Sequence, residues 1–221
     1  MLSAAQILDL HRETVALWHH TEPGGGYSGF LQLVCQQHAF NFQLWHEEDI
    51  ARSQTVGDAV IAQVKRNIDR FNQQRNDWIE KLDDWVTGYL REARIAPPAD
   101  AAMNSETPGS IIDRLSILAL RIYHLDEQAR RADADTPHRQ NVSRKLAICC
   151  EQRDDLSAAL DSLARDLVAG RKRHKTYRQF KMYNDPTLNP HLYAPATPTP
   201  PAAESTASTR SAAADSFRRA G

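Results

Sequence analysis

The sequence predicts an all-α protein, an antiparallel bundle of about five helices with no significant β-sheet. Three observations support this fold class. Apolar residues recur at three- and four-residue steps along most of the chain. No segment between turn signals shows the alternating apolar and polar pattern of a half-buried strand. Proline, glycine and polar clusters divide the chain at intervals that suit long helices.

Composition limits the class of protein. The chain has 221 residues, of which 41% are hydrophobic and 25% charged, which permits a sizeable globular core. The formal net charge of -1 argues against a general nucleic-acid binder. Three cysteines, two of them adjacent, form no disulfide framework and indicate a reduced, cytoplasmic setting. We expect no signal peptide, and no apolar run approaches the roughly 18 residues of a membrane span.

The first two helices have clear boundaries. The spacing predicts a helix over about residues 3–20 with Ser3 as its N-cap, ended by the run P-G-G-G at residues 23–26. That run is a connector, because no strand precedes it and no Gly-Lys-Ser/Thr follows. A second helix is expected over about residues 27–53. His38 and Asn41 lie among its apolar residues, where buried polar groups need partners.

The second helix ends in the segment W-H-E-E-D-I-A-R, which contains Glu48, Asp49 and Arg52. Such a charged run is typical of a solvated face. Glu48 or Asp49, with Arg52, also continue the helical line of His38 and Asn41. Both interpretations stay open at this point.

The third helix, about residues 57–92, has an interrupted apolar stripe. Asn72 and Arg75 fall where apolar residues are expected, and Asn76 lies beside them. An arginine in a bundle core is costly unless it is paired, and Glu48 or Asp49 are the natural partners. A structural network and a ligand site between facing helices use the same ingredients.

The central helix begins in N-S-E-T-P-G-S-I-I-D-R-L, where Thr107 or Ser110 is expected to cap and Pro108 to open the helix. It is expected to end near residue 132. Asp113 and Arg114 flank its apolar face near the beginning. They are interpreted either as a dipole partner and a salt-bridge arm or as functional groups.

The last part of the chain is predicted to contain a polar connector at residues 133–141 and a long helix from Ser143 to a break at Gly170. Residues 171–181 combine basic and aromatic side chains. This pattern suits nucleic-acid or nucleotide contacts, or a basic helix end that docks on the bundle. The Pro, Thr, Ala and Ser composition of residues 194–221 predicts a disordered tail after a single domain of residues 1–193.

The polar residues between helices are expected to converge where the middles of the second and third helices meet the start of the central helix. The candidate ligand-binding residues are His38, Asn41, Glu48, Asp49, Arg52, Asn72, Arg75, Asn76, Glu106 and Asp113, with Arg178 and Lys181 closing over them. Carboxylates from neighbouring helices suit Mg²⁺, and the candidate ligands are Glu48, Asp49, Glu80 and Asp113. A zinc or di-iron site is less favoured, because His38 and His46 are eight residues apart and the E-x-x-H spacing is absent.

Four separated segments resemble those of one bacterial family: W-H-E-E-D-I-A-R, N-Q-Q-R-N-D-W-I-E-K, N-S-E-T-P-G-S-I-I-D-R-L-S-I-L-A-L-R-I-Y-H and Y-R-Q-F-K-M-Y-N-D-P-T-L-N-P. The family is a helical domain of unknown function, and its genes often sit near glycosyltransferase genes for lipopolysaccharide. The resemblance covers roughly residues 2–193. It implies a helical cytoplasmic protein tied to envelope carbohydrate assembly, and it assigns no catalytic residue.

Three functional hypotheses follow. The first is a protein accessory to surface-polysaccharide synthesis that binds a small anionic or nucleotide-type ligand, with glycan-synthesis enzymes as possible partners. The second is a Mg²⁺-dependent nucleotide or nucleotide-sugar hydrolase of helical-bundle type. The third, a nucleic-acid binder acting through residues 171–181, has less support because the rest of the chain is not basic.

Overall fold

The computed structural model describes residues 3–182 and 185–193 and is mainly helical there. This confirms the predicted all-α class. The described helices are α1 (Ala4–Trp18), α2 (Gly29–Ala51), α3 (Asp58–Glu92), α4 (Pro108–Arg130), α5 (Thr136–Val168) and α6 (Pro190–Tyr193). Two strands of two residues each, β1 (Ala102–Met103) and β2 (Lys172–Arg173), pair in parallel.

The chain divides into two compact units. The first unit, Met1–Gln179, contains helices α1 to α5 and both strands, and the second unit, Phe180–Gly221, contains α6. The predicted disordered tail, residues 194–221, lies outside the described residues. Within the part of the chain that the structure describes, no helix combines the length and the apolar character that crossing a membrane requires.

Side-chain caps and a glycine mark several of the helix boundaries. The Ser3 side chain accepts a hydrogen bond from the N–H of Gln6 at the start of α1. The Thr107 hydroxyl accepts one from the N–H of Ser110 at 3.1 Å, with Pro108 in the first turn of α4. Gly170, just past α5, has a φ of +68°, a conformation that glycine adopts without strain. These positions confirm the predicted starts of α1 and α4 and the predicted break at Gly170.

The predicted connector at residues 133–141 is wrong. Helix α5 begins at Thr136, seven residues before Ser143. Asp135 is its N-cap, and the carboxylate accepts a hydrogen bond from the N–H of His138 at 2.7 Å. Pro137 lies in the first turn, where its missing N–H leaves no hydrogen bond unmade. The proline therefore opens this helix instead of marking a loop before it.

The core is shared by all five helices of the first unit. Helix α2 packs chiefly on α3, α4 chiefly on α5, and α1 covers the seam beside α4 and α2. All five helices contribute apolar side chains with almost no exposure, among them Ile7, Leu10, Val34, Leu82, Ile112, Leu115, Leu120 and Leu160. Helix α4 lies in the middle of this arrangement, as its wide apolar face predicts.

Helices α3 and α4 approach closely at Gly109. Its N–H donates a hydrogen bond of 2.8 Å to the buried carboxylate of Asp83, and a Cβ at this position would lie 2.6 Å from the backbone oxygen of Ile79. Burial raises the pKa of Asp83, and hydrogen bonds from Thr107 and Gly109 oppose that shift. The glycine of the P-G-S segment is thus required by packing between the two helices.

We expect Gly109→Ala to lower the free energy of unfolding by about 1–3 kcal/mol, because the new methyl group would overlap the Ile79 carbonyl. Gly88→Ala is the matched control. It lies inside α3 with nothing within 4 Å of its Cβ position, and there alanine should add about 0.5–1 kcal/mol. Urea unfolding of both variants measures the difference, and equal stability of Gly109→Ala and the wild type would contradict the close approach.

Candidate functional site

A buried ion pair and its hydrogen bonds join the middles of α2 and α3 to the start of α4. The Asp113 side chain on α4 is nearly fully buried, and its Oδ1 accepts hydrogen bonds from Gln37 Nε2 at 2.7 Å, Asn41 Nδ2 at 3.0 Å and Arg75 Nε at 2.7 Å. Arg75 Nη2 donates to Oδ2, so the guanidinium binds the carboxylate through two parallel bonds. One buried charge therefore holds groups from three helices.

The ion pair also fixes the charge state of Arg75. Its hydrogen bonds to Asp113 raise the pKa of the guanidinium further above its ordinary value, although burial opposes this shift. The sequence pattern predicted Glu48 or Asp49 as the partner of Arg75, and that prediction is wrong. Asp113 faces Arg75 across the seam between α3 and α4, and Glu48 instead pairs with Arg52 at 2.7 Å.

A second branch of the network contains His38. Its Nδ1 is 2.6 Å from the hydroxyl of Ser116, which also accepts from Asn41 Nδ2 at 2.8 Å. The His38 ring lies 4.4 Å from the ring of His11, which is fully buried, and burial lowers the pKa of His11 to about 3. Burial, and then the proximity of His11, also lowers the pKa of His38 well below its ordinary value. Both rings are therefore neutral.

An open groove of about 390 Å³ lies beside this network. Its walls come from α2, α3 and α4 and consist of Asn41, Leu44, Trp45, Glu48, Asp49, Arg52, Arg75, Ile117 and Leu120. Five of the residues predicted from the sequence thus line one groove. His38 and Asp113 join them through hydrogen bonds to Asn41, Ser116 and Arg75.

Four predicted residues lie elsewhere in the first unit: Asn72, Asn76, Glu106 and Arg178. Asn72 and Asn76 are half-buried on α3 and do not line the groove, and their side chains form no hydrogen bond with the residues that the structure describes. Glu106 binds Arg114 at 2.6 Å, so Arg114 is the salt-bridge arm that one interpretation of the sequence predicted. Lys181 belongs to the second unit, and its place in the site stays a prediction.

Two arginines of the basic segment, residues 171–181, form ion pairs with carboxylates of the helical bundle. Arg178 binds Glu80 at 3.0 Å and Asp84 at 2.8 Å, both on α3, and does not line the groove. Arg171 binds Asp166 of α5 at 2.8 Å. This geometry matches a basic segment that docks on the helices, which was one of the two interpretations of residues 171–181.

The four carboxylates proposed for Mg²⁺ are not equally placed. Glu48 and Asp49 line the groove, whereas the oxygens of Asp113 already accept the hydrogen bonds of the network. Glu80 accepts from Arg178 and from the N–H of Gln179 at 2.7 Å. Among the residues that the structure describes, the group whose ligand atoms come close enough for a metal ion consists of histidines instead: His19, His46 and His124.

Two larger grooves lie away from the network. One, of about 520 Å³, runs along the seam between α4 and α5, and the other, of about 640 Å³, also includes α1. The larger groove has an apolar floor with Leu8 and Leu115 and a rim with Arg12, Arg130 and Arg153. None of the predicted ligand residues lines either groove.

Sequence reasoning missed Gln37 and Ser116, although both take part in the network. A signal for Ser116 was present, since it lies one helical turn after Asp113 on an otherwise apolar face. Gln37 has no such signal, because its side chain reaches Asp113 only after α2 and α4 have packed together.

The fold and the network define a helical-bundle protein in which three packed helices share one buried ion pair. The chain belongs to the family described as "Protein of unknown function (DUF4254)", which matches residues 31–176. This confirms the resemblance to a helical family of unknown function. No curated protein matches the chain, and no solved structure does.

We expect Arg75→Ala to lower the free energy of unfolding by about 3–5 kcal/mol, because it leaves the Asp113 carboxylate buried and unpaired. Arg52→Ala is the control. It breaks the exposed pair with Glu48 and should cost at most about 1 kcal/mol. The double variant Arg75→Met with Asp113→Leu removes both charges and should recover much of the loss. Urea unfolding tests all three, and an Arg75→Ala loss as small as that of Arg52→Ala would contradict this account.

Stability should fall in acid because His11 resists protonation in the folded chain. The unfolded histidine titrates near 6.5 and the folded one at about 3, so the unfolded state binds more protons between these values. The free energy of unfolding therefore decreases as pH falls below 6.5, by up to about 1.4 kcal/mol per pH unit for His11. Urea unfolding at a series of pH values should show a smaller slope for His11→Leu and an unchanged slope for His138→Ala, whose side chain is exposed.

Proposed function

We propose that this protein binds a small anionic ligand of the nucleotide type in the groove beside the ion pair of Arg75 and Asp113. In this proposal it is a cytoplasmic accessory to the synthesis of cell-surface polysaccharide such as lipopolysaccharide. One observation carries the ligand proposal. Arg75 is held by a buried carboxylate and still forms part of the wall of an open groove of about 390 Å³, a volume typical of small-molecule sites.

Arg75 is a hydrogen-bond donor whose side chain is already held in place by Asp113. Its Nε and Nη2 bind Asp113, and its Nη1 donates to no residue that the structure describes. The side chain is 25% exposed, so a ligand can reach it. Because the ion pair already fixes the guanidinium, an incoming anion orders little additional side chain.

Arg52 supplies a second cation at the groove. Its side chain is 69% exposed and, among the described residues, forms an ion pair only with Glu48, and such an exposed pair adds little stability. A phosphate can replace Glu48 as its partner without exposing a buried charge. Two guanidinium groups on one groove suit a phosphate or diphosphate, which accepts paired N–H donors.

The other walls suit a ring. Trp45, Leu44 and Ile117 give the groove an apolar surface on which a base or a sugar can pack. Glu48 and Asp49 are hydrogen-bond acceptors for sugar hydroxyls. A nucleoside diphosphate sugar contains all of these chemical groups, and it is also the activated donor that surface-polysaccharide synthesis consumes. The link to envelope carbohydrate assembly that the sequence resemblance implies favours the same assignment.

Binding is better supported than Mg²⁺-dependent hydrolysis. Of the four carboxylates considered for Mg²⁺, Glu48 and Asp49 line the groove, and Asp113 and Glu80 are engaged with Arg75 and Arg178. The same purified protein distinguishes the two functions, since a hydrolase would release nucleoside monophosphate in the presence of Mg²⁺ and a binding protein would return the ligand intact.

We expect wild-type protein to bind at least one nucleoside diphosphate sugar from a panel, measured by calorimetry. Arg52→Ala should weaken that binding about 10-fold or more, because it removes a charge-assisted hydrogen bond worth roughly 1.5–3 kcal/mol. Arg66→Ala, an exposed change on α3 outside the groove, should leave the affinity unchanged. The absence of binding across the panel, or equal affinity of Arg52→Ala and the wild type, would contradict the proposed site.

Arg52→Ala also tests the proposed function in the cell. A strain that lacks the gene should have an altered lipopolysaccharide profile on gels, and the wild-type gene should restore it. Arg52→Ala should not restore it, although it is expected to fold normally. A profile unchanged by deletion would contradict the role in surface-polysaccharide synthesis and leave the calorimetric result to stand by itself.

A further inference from the structure

A three-histidine cluster lies where the end of α1 meets α2 and α4. It consists of His19, His46 and His124, which come from three different elements of the bundle. One ring nitrogen of each lies within 4.8 Å of those of the other two, and all three side chains are half-buried. This cluster is distinct from the groove, although Trp45 contacts both.

Two nitrogens of the cluster are buried without a hydrogen bond. His19 Nε2 and His124 Nε2 are inaccessible to solvent and have no partner in the part of the chain that the structure describes. The ring of His46 also forms no hydrogen bond to a described residue. Buried polar atoms almost always have partners, so these nitrogens indicate a missing one.

The opposite nitrogens are already oriented. His19 Nδ1 lies 2.7 Å from the backbone oxygen of Val15, and His124 Nδ1 lies 2.9 Å from Glu127 Oε2. Because a carbonyl and a carboxylate only accept, each Nδ1 carries a proton, and the neutral form of each ring has its lone pair on Nε2. This is how histidine ligands of metals are commonly held, with the second nitrogen bonded to a carbonyl or a carboxylate.

Aromatic side chains support the rings. Tyr123 stacks on His19 at a centroid distance of 4.3 Å, and Trp45 stacks on His124 at 5.3 Å. Phe42 packs edge-on against His46 at 4.5 Å. Such packing alone would explain where the rings lie. It does not explain why two lone pairs point into the interior without a partner.

We propose that His19, His46 and His124 bind one Zn²⁺ through three imidazole nitrogens, with water at the fourth position of a tetrahedron. Zinc–nitrogen bonds of about 2.0–2.1 Å place the nitrogens roughly 3.3 Å apart in a tetrahedral site. Side-chain rotations that move each nitrogen by about 1 Å would therefore bring the three ligands to bonding distance. Imidazole suits Zn²⁺, whereas Mg²⁺ requires oxygen ligands. Glu127, bound to His124, adds the outer carboxylate that tunes such sites.

The test uses the full chain prepared without a histidine tag and stripped of metal with a chelator. Competition against a chromogenic zinc chelator should show one Zn²⁺ per chain, and Co²⁺ in its place should give the visible spectrum of a tetrahedral site. His46→Ala should weaken Zn²⁺ binding more than about 100-fold, and Glu127→Gln about 10- to 100-fold. His138→Ala, a change at an exposed histidine of α5, is the matched control and should bind like the wild type.

Failure of the wild type to take up Zn²⁺ would overturn the proposal, and so would equal affinity in His46→Ala. Circular dichroism checks that His46→Ala is folded. If His46→Ala is not folded, Glu127→Gln becomes the test, because this half-exposed residue tolerates the change. Wild-type affinity for Zn²⁺ in Glu127→Gln would then overturn the assignment. Arg52→Ala should bind Zn²⁺ normally, so this result and that of the proposed ligand groove are separate.

Discussion

The buried carboxylate of Asp113 is the constraint on which the arrangement of the helices depends. A charge at this depth is tolerated only when it is paired and hydrogen-bonded. The requirement makes α3 present Arg75 and α2 present Gln37 and Asn41 at the same level of the bundle. These bonds therefore fix how the three helices are positioned relative to one another along the bundle. An arginine that spans the seam also packs it less tightly than an apolar residue would, and the open groove lies beside it.

A second contact, nearer the start of α4, also holds this helix against α3. The N–H of Gly109 in its first turn donates to Asp83 of α3, one turn before Asp113 meets Arg75. The loop that leads into α4 is held in turn by the pairing of β1 with β2. The segment N-S-E-T-P-G-S-I-I-D thus combines a cap, a close helix approach and a buried charge. Because each of these roles requires a particular residue type, the segment has a distinctive sequence pattern.

Local signals predicted most of the fold and part of the site. Caps such as Thr107 and the helical periodicity placed α1 to α4 within a few residues, because both depend on neighbours in the chain. Pro137 misled the prediction for α5, since a proline can open a helix as well as break a segment. The polar interruption at Arg75 located the seam correctly, but its partner Asp113 depends on helix rotation, which spacing does not encode. The cluster around His46 left no sequence signal because its members come from different helices.

The position of α1 has a practical consequence for anyone who shortens this protein. The family match begins at residue 31, after α1 has ended. Ala4 and Ile7 are nevertheless completely enclosed, and the N–H of Ala4 donates to Asp161 Oδ1 at 3.1 Å, across 157 positions of sequence. A chain cut at the family boundary would lose α1 and expose the apolar surface that this helix covers. The usable boundary for expression lies before Ser3, where the first helix is capped.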